Sequence, residues 1–176
     1  MGGFTRPTVA DGARIRTVES ILISRDGGIA TVTLNNPARL NALDKAMWQG
    51  LGRAMHALAA DESLRCVVLR GAGGKAFAAG ADIAEFATER ADARQAQEYG
   101  ALIHETMQAV AGCRHPTLAL IEGACIGGGL EIAAMCDMRI CGESSRFGVP
   151  VNRLGLTMAY GELQGLLGLA GHAVTL

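Results

Sequence analysis

The fold is decided by GACIGGGLEIAAMCD, Gly123 to Asp137. Three consecutive glycines, Gly127, Gly128 and Gly129, lead into an apolar run broken by one carboxylate, Glu131. The run reads as a short buried helix that starts at Gly127 or Gly128. The first N–H groups of a helix have no partner inside it, and the aligned peptide dipoles make that end positive. Glycines there let a substrate oxygen approach the backbone closely. The N–H of Gly128 is therefore a candidate oxyanion donor. Glu131 falls at the third helical position, where a glutamate also bonds back to the cap, and the glycines would equally serve tight helix–strand packing. The pattern leaves both readings open.

Acyl chemistry usually needs a second donor. Upstream, Phe77-Ala78-Ala79-Gly80-Ala81-Asp82 forms another glycine loop leading into a short helix, Ile83 to Ala87. Around these loops the chain alternates strands and helices. SILIS and IATVTL flank Asp26-Gly27-Gly28 as a hairpin, with Ala30, Val32 and Leu34 on one face. Asp44 caps a helix to Ala60 that carries Met47, Leu51, Met55 and Leu58 on one stripe. CVVLR, Cys66 to Arg70, reads as a buried strand. A long helix spans Asp92 to Ala111, with Tyr99, Ile103, Met107 and Val110 aligned. TLALIEG is a strand, Met138 to Cys141 another, and a last helix begins near Tyr160. Alternation of this kind points to an α/β fold.

With 176 residues, 49% hydrophobic and 19% charged, the chain is long and apolar enough for one domain with a real core. A formal net charge of −1 argues against nucleic acid as a partner. No apolar run reaches bilayer length, which argues against a membrane span. Residues 1–18 lack the apolar segment of a secretory signal and read as a flexible arm, with the core at 19–176. The five cysteines, Cys66, Cys113, Cys125, Cys136 and Cys141, form no CxxC pair and read as reduced core thiols of a cytoplasmic protein. The four histidines have no ligand spacing, are read as surface or helix-end residues, and imply no metal site.

Several motifs fail on inspection. GAGGKA, Gly71 to Ala76, resembles a dinucleotide fingerprint, but no apolar helix stripe follows it. Ala76 stands where a phosphate-binding loop needs Ser or Thr. His104-Glu105 opens a zincin-like pattern, yet Gln108 occupies the place of the second histidine. Gly142-Glu-Ser-Ser lacks the closing glycine of a nucleophile elbow.

KAFAAGADIAEF together with GACIGGGLEIAAMCDMRIC resembles the enoyl-CoA hydratase/isomerase (crotonase) family, and LNNPARLNAL and RFGVPVNRLG resemble further family segments in the same order. The resemblance runs from Glu19 to the end of the chain. It implies a spiral of ββα units, assembly as a trimer or hexamer, and an acyl-CoA thioester substrate, with coenzyme A entering as part of the substrate and no separate cofactor. It implies that the N–H groups of Ala81 and Gly128 hold a thioester enolate. Ala79, Ala81, Asp82, Ile83 and Gly128 would contact substrate, and Glu131 would activate the water added at the β-carbon. Hydratases carry a second glutamate in a segment like FGxPE, where this chain has Val151. Hydration with Glu131 as base is the first expectation. Isomerisation, decarboxylation or thioester hydrolysis, or acyl-CoA binding without turnover, are the alternatives. Arg39, Lys45 and Lys75 are candidate phosphate neighbours, although a charge of this kind is more often a solvated surface residue. Tyr160 and Glu162 lie near the remaining family positions. The chain stops at GLAGHAVTL, where family members continue with a helical part, so the resemblance implies a core that is incomplete at its C-terminus.

Overall fold

A computed structural model describes residues 16–18, 20–155 and 157–175. The hairpin is present: β2 (Ile21–Asp26) pairs antiparallel with β3 (Ile29–Leu34) around the tight Gly27-Gly28 turn. Ala30, Val32 and Leu34 are fully buried, as period-two alternation requires. β1 (Arg16–Val18) adds antiparallel to β2. Three residues assigned to the arm thus belong to the sheet, because the edge of β2 offers them a hydrogen-bonding partner. The rest of the arm lies outside the described residues, as does Glu19. Helix α1 (Lys45–Ala59) begins at Asp44, whose carboxylate accepts the Met47 N–H at 2.7 Å. Its buried stripe includes Met47, Leu51, Met55 and Leu58, with Trp48 beside them. Replacing Asp44 by alanine orphans that donor. An equilibrium urea titration is expected to show a loss of about 1 kcal/mol.

The chain then repeats one pattern. β4 (Cys66–Gly71), β5 (Ala76–Ala78), α2 (Phe86–Glu89) and α3 (Ala93–Ala111) form one turn of the spiral. β6 (Thr117–Ile121), β7 (Ala124–Ile126) and α4 (Gly128–Met135) form the next. β8 (Met138–Cys141), β9 (Arg146–Gly148), α5 (Tyr160–Ala170) and the short α6 (His172–Thr175) follow. The first strand of each turn joins a six-stranded sheet of order β1-β2-β3-β4-β6-β8, parallel from β3 onward. The second joins a three-stranded parallel sheet of order β5-β7-β9. This is the spiral of ββα units that the resemblance implies. In α3, Asp92 caps by accepting the Gln95 N–H at 2.8 Å, and the stripe of Tyr99, Ile103, Met107 and Val110 is buried.

Three expectations change. β4 alternates buried and half-buried residues instead of being buried throughout, because α1 and α3 cover one face of its sheet. Cys141 is exposed at the end of the edge strand β8, although Cys125 and Cys136 are buried core thiols, both pushed up to about 12 by burial. His115 is buried just ahead of β6, with an unpartnered Nε2, and is not a surface residue. Met138, Ile140 and Phe147 on the two edge strands, and Tyr160, Leu169 and Val174 beyond them, are exposed apolar side chains. None of the described residues of α5 is buried. No helix among the described residues is long and apolar enough to cross a membrane.

Candidate active site

The glycine triplet turns β7 into α4. Gly127 has φ +50° and ψ −123°, a conformation closed to residues with a Cβ. Its N–H donates to Gly148 O on β9 at 2.9 Å, and its carbonyl accepts the Glu131 N–H at 3.0 Å. The helix therefore starts at Gly128, and Glu131 is its fourth residue, not its third. No side chain caps Gly127, and the Gly127 N–H is already used, so Glu131 does not close a capping box. The packing role of the glycines is real: a Cβ on Gly128 would lie 2.9 Å from the Trp48 ring, and one on Gly129 would lie 2.6 Å from Ala78 O.

The second loop is pinned by a parallel bridge between Leu43 and Ala81. Leu43 N–H donates to Gly80 O at 2.7 Å, and Asp82 N–H donates to Leu43 O at 2.9 Å. That pairing leaves the Ala81 N–H pointing the other way. Gly128, as the first residue of α4, has no intrahelical acceptor. Among the described residues neither N–H meets an acceptor. The glycines before them lie close together: a Cβ on Gly127 would sit 3.6 Å from Gly80 Cα. Gly80 itself has φ +98°. Ala81 and Gly128 border one cleft of about 320 Å³, together with Ala79, Ile83 and Glu131.

Glu131 is 7% exposed. Its carboxyl has no hydrogen-bond partner among the described residues. Burial first, and then the negative charge of Glu162, push it up to about 8, while Arg90 works the other way. Glu162, in the first turn of α5, accepts the Ala159 N–H at 2.7 Å and also borders the cleft, so it is a cap that reaches the site. Val151 forms part of the cleft wall, and the position the resemblance assigns to a second carboxylate is apolar.

Asp82 is the site residue whose side chain goes elsewhere. It accepts the Ala84 N–H at 3.1 Å, capping the turn Ile83–Glu85, and it pairs with Arg39. It is not among the residues bordering the cleft. An aspartate at a helix start is held by the backbone donors there, which turns its carboxylate away from the cavity. Arg39 is thus engaged, as is Lys45, whose Nζ lies 2.6 Å from Glu89. Sequence reasoning did not reach Trp48, Phe86, Arg90, Ile126 or Met158 as walls of the cleft, nor Ile103 beyond its core stripe. For Arg90 no local signal exists, since it enters the site only through the packing of α2 on α3.

Fold and cleft together define an α/β spiral whose site combines two unpaired backbone amides with one buried carboxyl. The model of the enoyl-CoA hydratase/isomerase family matches residues 24–175, and the chain belongs to that family. The short-chain-enoyl-CoA hydratase of Clostridium acetobutylicum is 33% identical over 154 residues, covering 88% of this chain and 58% of that protein. A probable enoyl-CoA hydratase of Rhizobium meliloti is 38% identical over 156 residues, with the same coverage. The crystal structure of an enoyl-CoA hydratase/carnithine racemase from Magnetospirillum magneticum superposes with a TM-score of 0.88 at 48% identity, covering 90% of this chain and 60% of that one. The chain therefore spans well under two thirds of the length of these relatives.

Proposed function

We propose that this chain takes an acyl-CoA thioester into the cleft, stabilises its enolate, and adds water to a 2-enoyl-CoA with Glu131 as base. One observation carries the reading: a buried, unpaired carboxyl borders the same cleft as the unpaired amides of Ala81 and Gly128. In this reading the thioester oxygen lies against both N–H groups. Glu131 takes a proton from water as the new C–O bond forms at the β-carbon, and the displaced electron pair moves onto the thioester oxygen. The same carboxyl returns its proton to the α-carbon as the carbonyl re-forms. Atoms and charge balance with one carboxyl, and that suits a site where Val151 cannot move a proton. Coenzyme A belongs to the substrate, and no further cofactor is invoked. We place the protein in the cytoplasm as a homo-oligomer, trimer or hexamer, and the exposed apolar side chains of β8, β9 and α5 support self-association.

Glu131 must be ionised to accept the first proton. The kcat/KM for crotonyl-CoA, followed by loss of enoyl absorbance, is expected to rise about tenfold per pH unit toward pH 8 and level off above it. Glu162→Gln keeps the cap on Ala159 but removes a negative neighbour, so the inflection should move to lower pH. A rate that falls through that range would show that Glu131 works as an acid, against this proposal. The apolar Val151 favours one further reading, double-bond isomerisation, in which a single carboxylate moves a proton between two carbons. Product mass separates the two, because hydration adds one water and isomerisation adds nothing.

A further inference from the structure

Arg90 follows α2 and carries its guanidinium to the cleft wall. The group lies over two rings, 4.4 Å from the centroid of Phe86 and 4.0 Å from that of Tyr99. Its Nε is buried without a hydrogen-bond partner, and no carboxylate lies within ion-pair distance of it among the described residues. The cleft it borders carries apolar Trp48, Phe86, Ile103 and Ile126, with Arg153, Glu131 and Glu162 as its other charged residues. A half-buried cation with no counterion is costly. The two ring faces offset part of that cost and fix the direction of the planar fork, which suits a carboxylate. Glu131 does not fill the role, because burial keeps it largely in its neutral form near pH 7. The Glu162 carboxylate is held by the Ala159 N–H.

We propose that Arg90 is a specificity-determining residue: braced against Phe86 and Tyr99, its guanidinium receives a carboxylate at the far end of the acyl chain, so the cleft prefers CoA monothioesters of dicarboxylic acids to plain fatty acyl thioesters. The inference rests on the acyl-CoA reading above. It is tested by titration calorimetry with glutaryl-CoA and butyryl-CoA, a saturated pair that differs by the terminal carboxylate. The wild-type protein is expected to bind glutaryl-CoA about tenfold or more tightly than butyryl-CoA. In Arg90→Met the ratio should collapse to about one. In Arg90→Lys, which keeps the charge and loses the fork, it should be intermediate. Equal affinities in the wild type, or an unchanged ratio in Arg90→Met, would overturn the role of Arg90 and leave acyl-CoA binding intact. Binding of neither ligand would overturn the acyl-CoA reading itself, and this inference with it.

Discussion

Replacing Glu131 by glutamine is expected to slow hydration of crotonyl-CoA by about 10²–10⁴-fold and, at the same time, to raise the melting temperature at about pH 8. The two effects have one cause. The carboxyl is buried and moved from 4.5 to about 8. Below 4.5 both the folded and the unfolded chain hold its proton. Between 4.5 and 8 the unfolded chain has lost the proton and the folded chain keeps it, so the native state binds more protons and stability falls as pH rises. The penalty is complete above 8. Its upper size is on the order of 4–5 kcal/mol, reduced by whatever burial of the glutamine amide costs. Thermal melts of both proteins should therefore diverge from about pH 5 to about pH 8, the variant melting higher. A glutamate kept as a helix cap would give the reverse, a variant that is less stable and as active as the wild type. Full activity in the variant would remove Glu131 from the mechanism.

How much of this was legible in the sequence follows the range of the forces involved. Asp44 announces its helix because a cap acts within three residues, and the stripes of α1 and α3 are read at helical period. The β2–β3 hairpin is local as well. The strands β5, β7 and β9 escaped notice because three residues are too few to show alternation, and each exists only through its neighbours in the second sheet. The two amides of the candidate site were readable from their glycines. The placement of Glu131 one residue further along α4 depends on the positive φ of Gly127 and its bond to Gly148, a contact between turns of the spiral. The Asp82 carboxylate is turned away from the cleft for a local reason, since its own helix start competes for it. Arg90 and Glu162 reach the cleft from other turns of the chain, where no spacing rule applies.

The same dependence on contacts between turns makes Gly123→Ala the most damaging small substitution expected for the fold. Gly123 joins β6 to β7 at φ +67°. A Cβ there would sit 1.9 Å from Lys75 O and 2.5 Å from Lys75 C, just ahead of β5. Neither side can give way cheaply. Lys75 O accepts the Ala124 N–H at 3.2 Å, and Gly123 O accepts the Arg146 N–H at 3.0 Å, so one residue ties together the starts of β5, β7 and β9. Moving it strips the second sheet of its register, and that sheet carries both glycine loops. A clash of backbone on backbone, added to a disfavoured φ, is expected to cost about 4 kcal/mol or more. That is enough to abolish a cooperative urea transition or soluble expression. Gly142→Ala is the matched control. Gly142 has an ordinary φ and open space where the methyl would go, and alanine keeps the N–H that donates to Ile121 O at 3.0 Å. Its stability should change by no more than about 0.5 kcal/mol. A Gly123→Ala protein that unfolds at the same urea concentration as the control would mean that β7 does not cross against Lys75, and the spiral would have to be redrawn at that turn.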